Sequence, residues 1–122
     1  MYSTKYVKAE STAAAVQEIR SVNEGKSLAG GMTLIPTLKQ RLASPDCLVD
    51  ISGCGLEGIE EIGSSLKVGS MTTHTAVSES SEIAKSIPAL RRLADGIGDR
   101  QVRNRGTLGG SVANNDPSAC YP

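Results

Sequence analysis

The stretch LAGGMTLIP, residues 28–36, restricts the fold more than any other part of the chain. Inside a helix, proline removes a hydrogen bond and clashes with the preceding turn. In the first turn it costs little, because those N–H groups lack partners anyway. Pro36 therefore fixes a helix start close behind Gly30 and Gly31, and a helix is predicted from about residue 33 to 42, with Leu34, Leu38 and Leu42 repeating along it. Residues 26–30 read as a short strand. A strand that bends through two glycines into a helix presents unpaired N–H groups carrying partial positive charge. Glycine also lets the backbone approach a ligand with no Cβ in the way. That combination forms a concave anion site, and Thr33 can cap the helix or give its hydroxyl to a phosphate oxygen. An ordinary tight strand-to-helix turn uses the same residues, so this pair alone leaves both readings open. Neither GxxxxGK[ST] nor GxGxxG is present.

The rest of the chain reads as mixed helix and strand. Residues 2–8 suit a strand. Residues 11–25 suit a helix, with Ser11 as N-cap, Ala15, Ile19 and Val22 as a stripe, and Asn23 and Gly25 ending it in a left-handed turn. DCLVDIS reads as a strand, and EGIEEIGSSLKVGS as two strands about a Gly63-Ser64 turn. MTTHTAVSES is helical, and SIPALRRLADGIG is a clearer helix with Pro88 in its first turn and Gly96 near its end. Residues 99–122 read as a polar, glycine-rich loop.

That last segment holds a second diglycine, Gly109-Gly110, flanked by Thr107 and Ser111 and followed by Asn114, Asn115, Asp116 and Pro117. Short polar side chains of this kind bond a sugar, a flavin edge or their own backbone turns. Two such bends fit a cofactor with two linked phosphates; a cluster of surface turns is the other reading.

Basic and acidic side chains balance at 13 each, so no strong field points to nucleic acid or an anionic membrane. There is no apolar run long enough for a membrane span, and the start MYSTKYVKAE lacks the apolar core of a secretory signal, which favours the cytoplasm. Cys47, Cys54 and Cys120 are an odd number with no CxxC, which argues against a disulfide framework, a structural zinc site or an iron–sulfur site. With three tyrosines and no Phe or Trp, the core is aliphatic, which hints that the chain belongs to something larger.

LAGGMTLIPTLKQRL, LVDIS, VGSMTTHTAV and QVRNRGTLGGSVANNDPSACYP occur in this order in one family. The chain resembles the FAD-binding medium subunit of molybdenum hydroxylases, the carbon monoxide dehydrogenase and xanthine dehydrogenase family, over nearly its whole length. The resemblance implies an α+β FAD-binding domain of the vanillyl-alcohol-oxidase (PCMH) type, here its N-terminal part. A first subdomain would run to about residue 55, and an incomplete second one would span about 56–122. It implies an oxidoreductase subunit that holds FAD and passes electrons from [2Fe–2S] clusters to an external acceptor. A large molybdopterin subunit and a small iron–sulfur subunit would be its partners. Carried over by position, Ala29, Gly30, Gly31, Met32 and Thr33 line the pyrophosphate, and Thr107, Leu108, Gly109, Gly110 and Ser111 form the second loop. Asn114 and Asp116 sit just beyond it, and Ile97 and Gly98 match a stretch that approaches the flavin. No catalytic or metal-ligating residue is implied, since the isoalloxazine supplies the redox chemistry. Relatives continue well past Pro122, so chain 1–122 by itself is expected to bind FAD weakly or not at all. Many carry aspartate where Cys120 stands, and a thiol is a much weaker hydrogen-bond partner. A non-catalytic nucleotide-binding or assembly module, and a stand-alone flavin oxidase fragment, are the alternative functions.

His74, the single histidine, lacks partners for a metal site or triad and reads mainly as a packing or loop residue. Arg100, Arg103 and Arg105 form a basic cluster that is either solvated surface or a means of attracting an anionic cofactor or acidic partner. Glu57, Glu60 and Glu61 read as a solvated edge.

Overall fold

The computed structural model describes residues 1–118, 120 and 121. Ala119 and Pro122, at the end of the fourth motif, lie outside the described residues. The chain divides into two compact units, Met1–Leu56 and Glu57–Pro122.

The first unit runs β1 (Lys5–Lys8), α1 (Thr12–Arg20), β2 (Gly25–Leu28), α2 (Leu34–Lys39) and β3 (Cys47–Asp50). Its three strands form a parallel sheet in the order β1-β3-β2, with Val7 and Ser27 both opposite Val49. The central strand is covered on both faces, which explains why Cys47, Leu48 and Val49 run apolar without alternation. Ser11 caps α1 by accepting from the Ala14 amide at 3.2 Å. Ala15, Ile19 and Val22 then pack with Val7, Cys47 and Val49.

Two expectations fail here. The first helix ends at Ser21 in a right-handed conformation, and neither Asn23 nor Gly25 takes positive φ. Gly25 is needed instead for close approach, since a Cβ there would lie 2.7 Å from the Ile19 carbonyl oxygen. The second helix stops at Lys39 because Arg41 turns left-handed (φ 61), so Leu38 is buried while Leu42 is 72% exposed.

The second unit opens with an antiparallel hairpin, β4 (Ile59–Ile62) and β5 (Ser65–Val68), turning at Gly63 with φ 61. Helices α3 (His74–Glu79), α4 (Ser81–Ser86), α5 (Pro88–Asp95), α6 (Arg100–Arg105) and α7 (Leu108–Asn114) follow. Thr73, Ser80, Asp99 and Thr107 cap four of them through side-chain oxygens. Val77, Ile83 and Ala94 form the core, with Ile59, Leu66, Val68 and Leu90 against it. The segment read as a polar loop is therefore mostly helical. Asp99 and Thr107 each nucleate a turn, and the second diglycine lies within α7. No helix among the described residues is long and apolar enough to cross a membrane.

Candidate cofactor site

The first bend follows β2 directly. Gly31 takes φ 75, which an L side chain adopts only under strain, and this turns the chain from Leu28 into α2 at Leu34. The turn is closed from the helix side by Ile35 N–H donating to the Gly31 carbonyl at 3.0 Å and Thr37 N–H to the Thr33 carbonyl at 3.2 Å. Pro36 sits in the first turn, where its missing donor is not needed. Thr33 does not cap the helix with its side chain. Among the described residues, the amides of Gly30, Gly31, Met32 and Thr33 donate to no protein acceptor. Met32 and Thr33 are exposed, and Ala29, Gly30 and Gly31 half-buried. The bend thus presents consecutive unpaired donors on glycine backbone, the form of an anion-binding nest.

A carboxylate that the sequence reading passed over lies at the same end of the sheet, where β2 and β3 finish. Asp50 ends β3 opposite Leu28. It accepts from the Tyr6 hydroxyl at 2.5 Å and from the Ser52 amide at 2.8 Å. Partial burial pushes its pKa up, but these hydrogen bonds and the Lys8 charge outweigh that and leave it below the usual carboxylate value. In the sequence its segment, DCLVDIS, reads only as a strand.

The second bend is built differently. Thr107, 3% exposed, pairs with Thr73 in an antiparallel bridge, and His74 N–H donates to the Gly106 carbonyl at 3.1 Å. The Leu108 amide donates to Thr72 O and the Gly109 amide to Ser70 O, both at 2.9 Å. The Gly110 amide donates to the Thr107 hydroxyl oxygen at 3.1 Å, and the Ser111 amide to Thr107 O at 3.1 Å. Of the free amides expected over Thr107, Leu108, Gly109, Gly110 and Ser111, the last four are therefore occupied within the protein. Gly109 is required by packing, because a Cβ would fall 2.5 Å from the Ser70 Cβ and 2.6 Å from its carbonyl oxygen. Asn114 and Asp116 are exposed just beyond, and Asn115 between them turns left-handed (φ 47). Asp116 accepts from the Ser118 amide at 2.9 Å, an Asx turn.

Ile97 and Gly98 line a hollow of about 490 Å³ in the second unit, together with Leu93, Val102, Arg92 and Asp99. Cys120 is exposed at the same hollow. Cys47 is buried, and Cys54 is half-buried against the Ala9 carbonyl. His74 is a packing residue. It is 2% exposed, shares a 2.8 Å hydrogen bond with the Tyr121 hydroxyl, and burial lowers its pKa. The basic cluster divides: Arg103 pairs with Asp95 at 3.2 Å and bonds its carbonyl at 3.0 Å, while Arg100 and Arg105 are exposed. Glu57, Glu60 and Glu61 are exposed, and Glu60 faces Lys67 across the hairpin at 3.8 Å. No group of three metal-ligating side chains occurs among the described residues.

Residues 2–122 match the family described as the FAD binding domain in molybdopterin dehydrogenase. The chain is 41% identical over 122 residues to the carbon monoxide dehydrogenase medium chain of Afipia carboxidovorans, covering 98% of this chain and 42% of that protein. It is 35% identical to the xanthine dehydrogenase FAD-binding subunit of Escherichia coli O157:H7, covering 93% and 40%. A solved carbon monoxide dehydrogenase structure from Hydrogenophaga pseudoflava superposes with TM-score 0.92 at 38% identity, covering 95% of this chain and 41% of that one. The chain thus spans about two fifths of the length of these relatives. With a family match along almost all of its sequence and a PCMH-type fold, the chain belongs to the FAD-binding domain family of molybdopterin dehydrogenases.

Proposed function

We propose that this chain supplies the diphosphate-binding part of a FAD site in an oxidoreductase subunit. The observation that carries this reading is the row of unpartnered amides from Gly30 to Thr33 at a bend that only glycine makes without strain. In this role Ala29, Gly30, Gly31, Met32 and Thr33 hold the pyrophosphate, with Thr33 adding its hydroxyl. The residues of this bend fit an anionic group because four adjacent donors lack any other acceptor among the described residues.

Thr107, Leu108, Gly109, Gly110 and Ser111 contribute in another way. The amides of Leu108, Gly109, Gly110 and Ser111 are bonded internally, so this segment offers the Ser111 hydroxyl and a side-chain-poor surface at Gly110. Asn114 and Asp116 are exposed polar groups next to it, suited to sugar or ring-edge contacts. The hollow beside Ile97 and Gly98 has the volume usual for a small-molecule site and apolar walls for part of an aromatic ring system.

When bound, FAD would supply the electron transfer itself, accepting electrons from [2Fe–2S] clusters and passing them to an external acceptor. This chain's residues would bind, orient and shield it. Partner subunits carrying molybdopterin and [2Fe–2S] groups follow from the same reading. The test is flavin content of the assembled complex for Gly31→Ala against Gly63→Ala. Both glycines have positive φ, but Gly63 sits at the tip of a hairpin with nothing near its Cβ direction. Gly31→Ala is expected to lose flavin while Gly63→Ala keeps it; equal flavin in both refutes the proposal.

A further inference from the structure

The bend at Thr107 is approached from both sides by one buried side chain. The His74 ring lies against Gly106, where an added Cβ would sit 2.8 Å from both Cδ2 and Nε2. The same ring meets Tyr121 with centroids 4.8 Å apart and tilted 60°, and shares the 2.8 Å hydrogen bond through Nδ1. Its own backbone N–H bonds the Gly106 carbonyl. Gly106 enters the bend and Tyr121 lies after Asp116 and Cys120. The chain before the bend and the tail after it are therefore both attached to one ring.

We infer that His74 is a positioning residue for the Thr107–Ser111 segment, acting through Gly106 and Tyr121 and touching no ligand itself. The inference rests on the reading that this segment belongs to a nucleotide site. Without the ring, Gly106 loses the surface that sets its height, and the Thr72 and Ser70 carbonyls lose alignment with the Leu108 and Gly109 amides. Without the tyrosine hydroxyl, the tail loses its one polar attachment to the ring while the aromatic contact remains.

Native-state hydrogen exchange on the full chain separates this role from simple fold stabilisation. In His74→Ala the Leu108 and Gly109 amides are expected to exchange roughly tenfold faster, relative to amides of β5 and α5 in the same unit. Tyr121→Phe, which preserves the ring, is expected to move them the same way by a smaller factor. His74→Asn, which keeps a polar atom near the Nδ1 position, is expected to restore part of the protection. FAD titration of the assembled complex is expected to show weaker binding in the same order. Equal acceleration at all amides of the unit overturns the inference, as do unchanged rates at Leu108 and Gly109. So does selective acceleration with undiminished FAD affinity. If the wild-type complex takes up no FAD while the exchange pattern appears as described, the nucleotide reading falls and the tie through His74 stands.

Discussion

A single methyl group at Gly109 would meet the Ser70 main chain, which cannot swing aside as the end of a long side chain can. Gly109→Ala is therefore expected to force residues 106–109 away from 70–74 and lower the unfolding free energy by about 1–3 kcal/mol in a urea titration. His74 and Tyr121 set two pH limits. Burial holds His74 below its ordinary 6.5, so the unfolded chain binds more protons between the two values. The stability it contributes is fully present above pH 6.5 and is lost as pH falls through the native value. Burial, aided by the charge of Cys120, pushes Tyr121 from 10.0 up to about 12, so its contribution is full below pH 10 and is lost as pH rises toward 12. Thermal melts across pH should decline at both ends, with His74→Phe removing the first acid step and Tyr121→Phe weakening the alkaline one. Ser11, Pro36 and Gly63 were legible in the sequence because each acts through its own backbone or immediate neighbours. Gly25 and Gly109 were not, because the atoms that forbid a side chain there belong to Ile19 and Ser70, and spacing alone does not bring them together.

At the scale of elements, α6 and α7 show where local propensity misleads. Glycine in a helix interior costs roughly 1 kcal/mol relative to alanine, so LGGSVAN reads as loop. Tertiary bonds override that cost: Thr107 caps the helix, and its first amides are held by Thr72 and Ser70. Asp99 does the same for α6, accepting from Gln101 N–H at 2.7 Å and Val102 N–H at 3.3 Å. Asp99→Ala is expected to cost about 1 kcal/mol. Removing the carboxylate from the Arg103 ion pair, as in Asp95→Ala, is expected to cost less. Asp95 is 74% exposed and water screens the charge, while the guanidinium keeps its bond to the residue 95 carbonyl. Comparing the two midpoints in one denaturant series ranks cap against ion pair. The strand–bend–helix of the first unit was legible for the opposite reason: Gly31 and Pro36 dictate their own conformations, and β2 leads straight into them.

Over the whole molecule, charge contributes little to folding. Net charge is zero, and Lys5–Glu18 and Lys67–Glu60 are well exposed pairs at 3.4 and 3.8 Å. Raising ionic strength from dilute buffer to roughly molar sodium chloride is expected to change the unfolding free energy by less than about 1 kcal/mol. A larger loss would mean that surface ion pairs matter more than their geometry implies. The family was legible from four motifs in order. The internal bonding of the second bend was not, since it depends on which carbonyls the fold brings to Leu108 and Gly109.

The strand order β1-β3-β2 also governs when folding can begin. β1 and β2 never pair with each other; each finds its partner only in Cys47–Asp50. A nascent chain leaving the ribosome therefore has no native sheet partner for either strand until the third has cleared the exit tunnel. Translational pausing before that point would leave two unmated strands waiting, whereas pausing after it would release a unit ready to close.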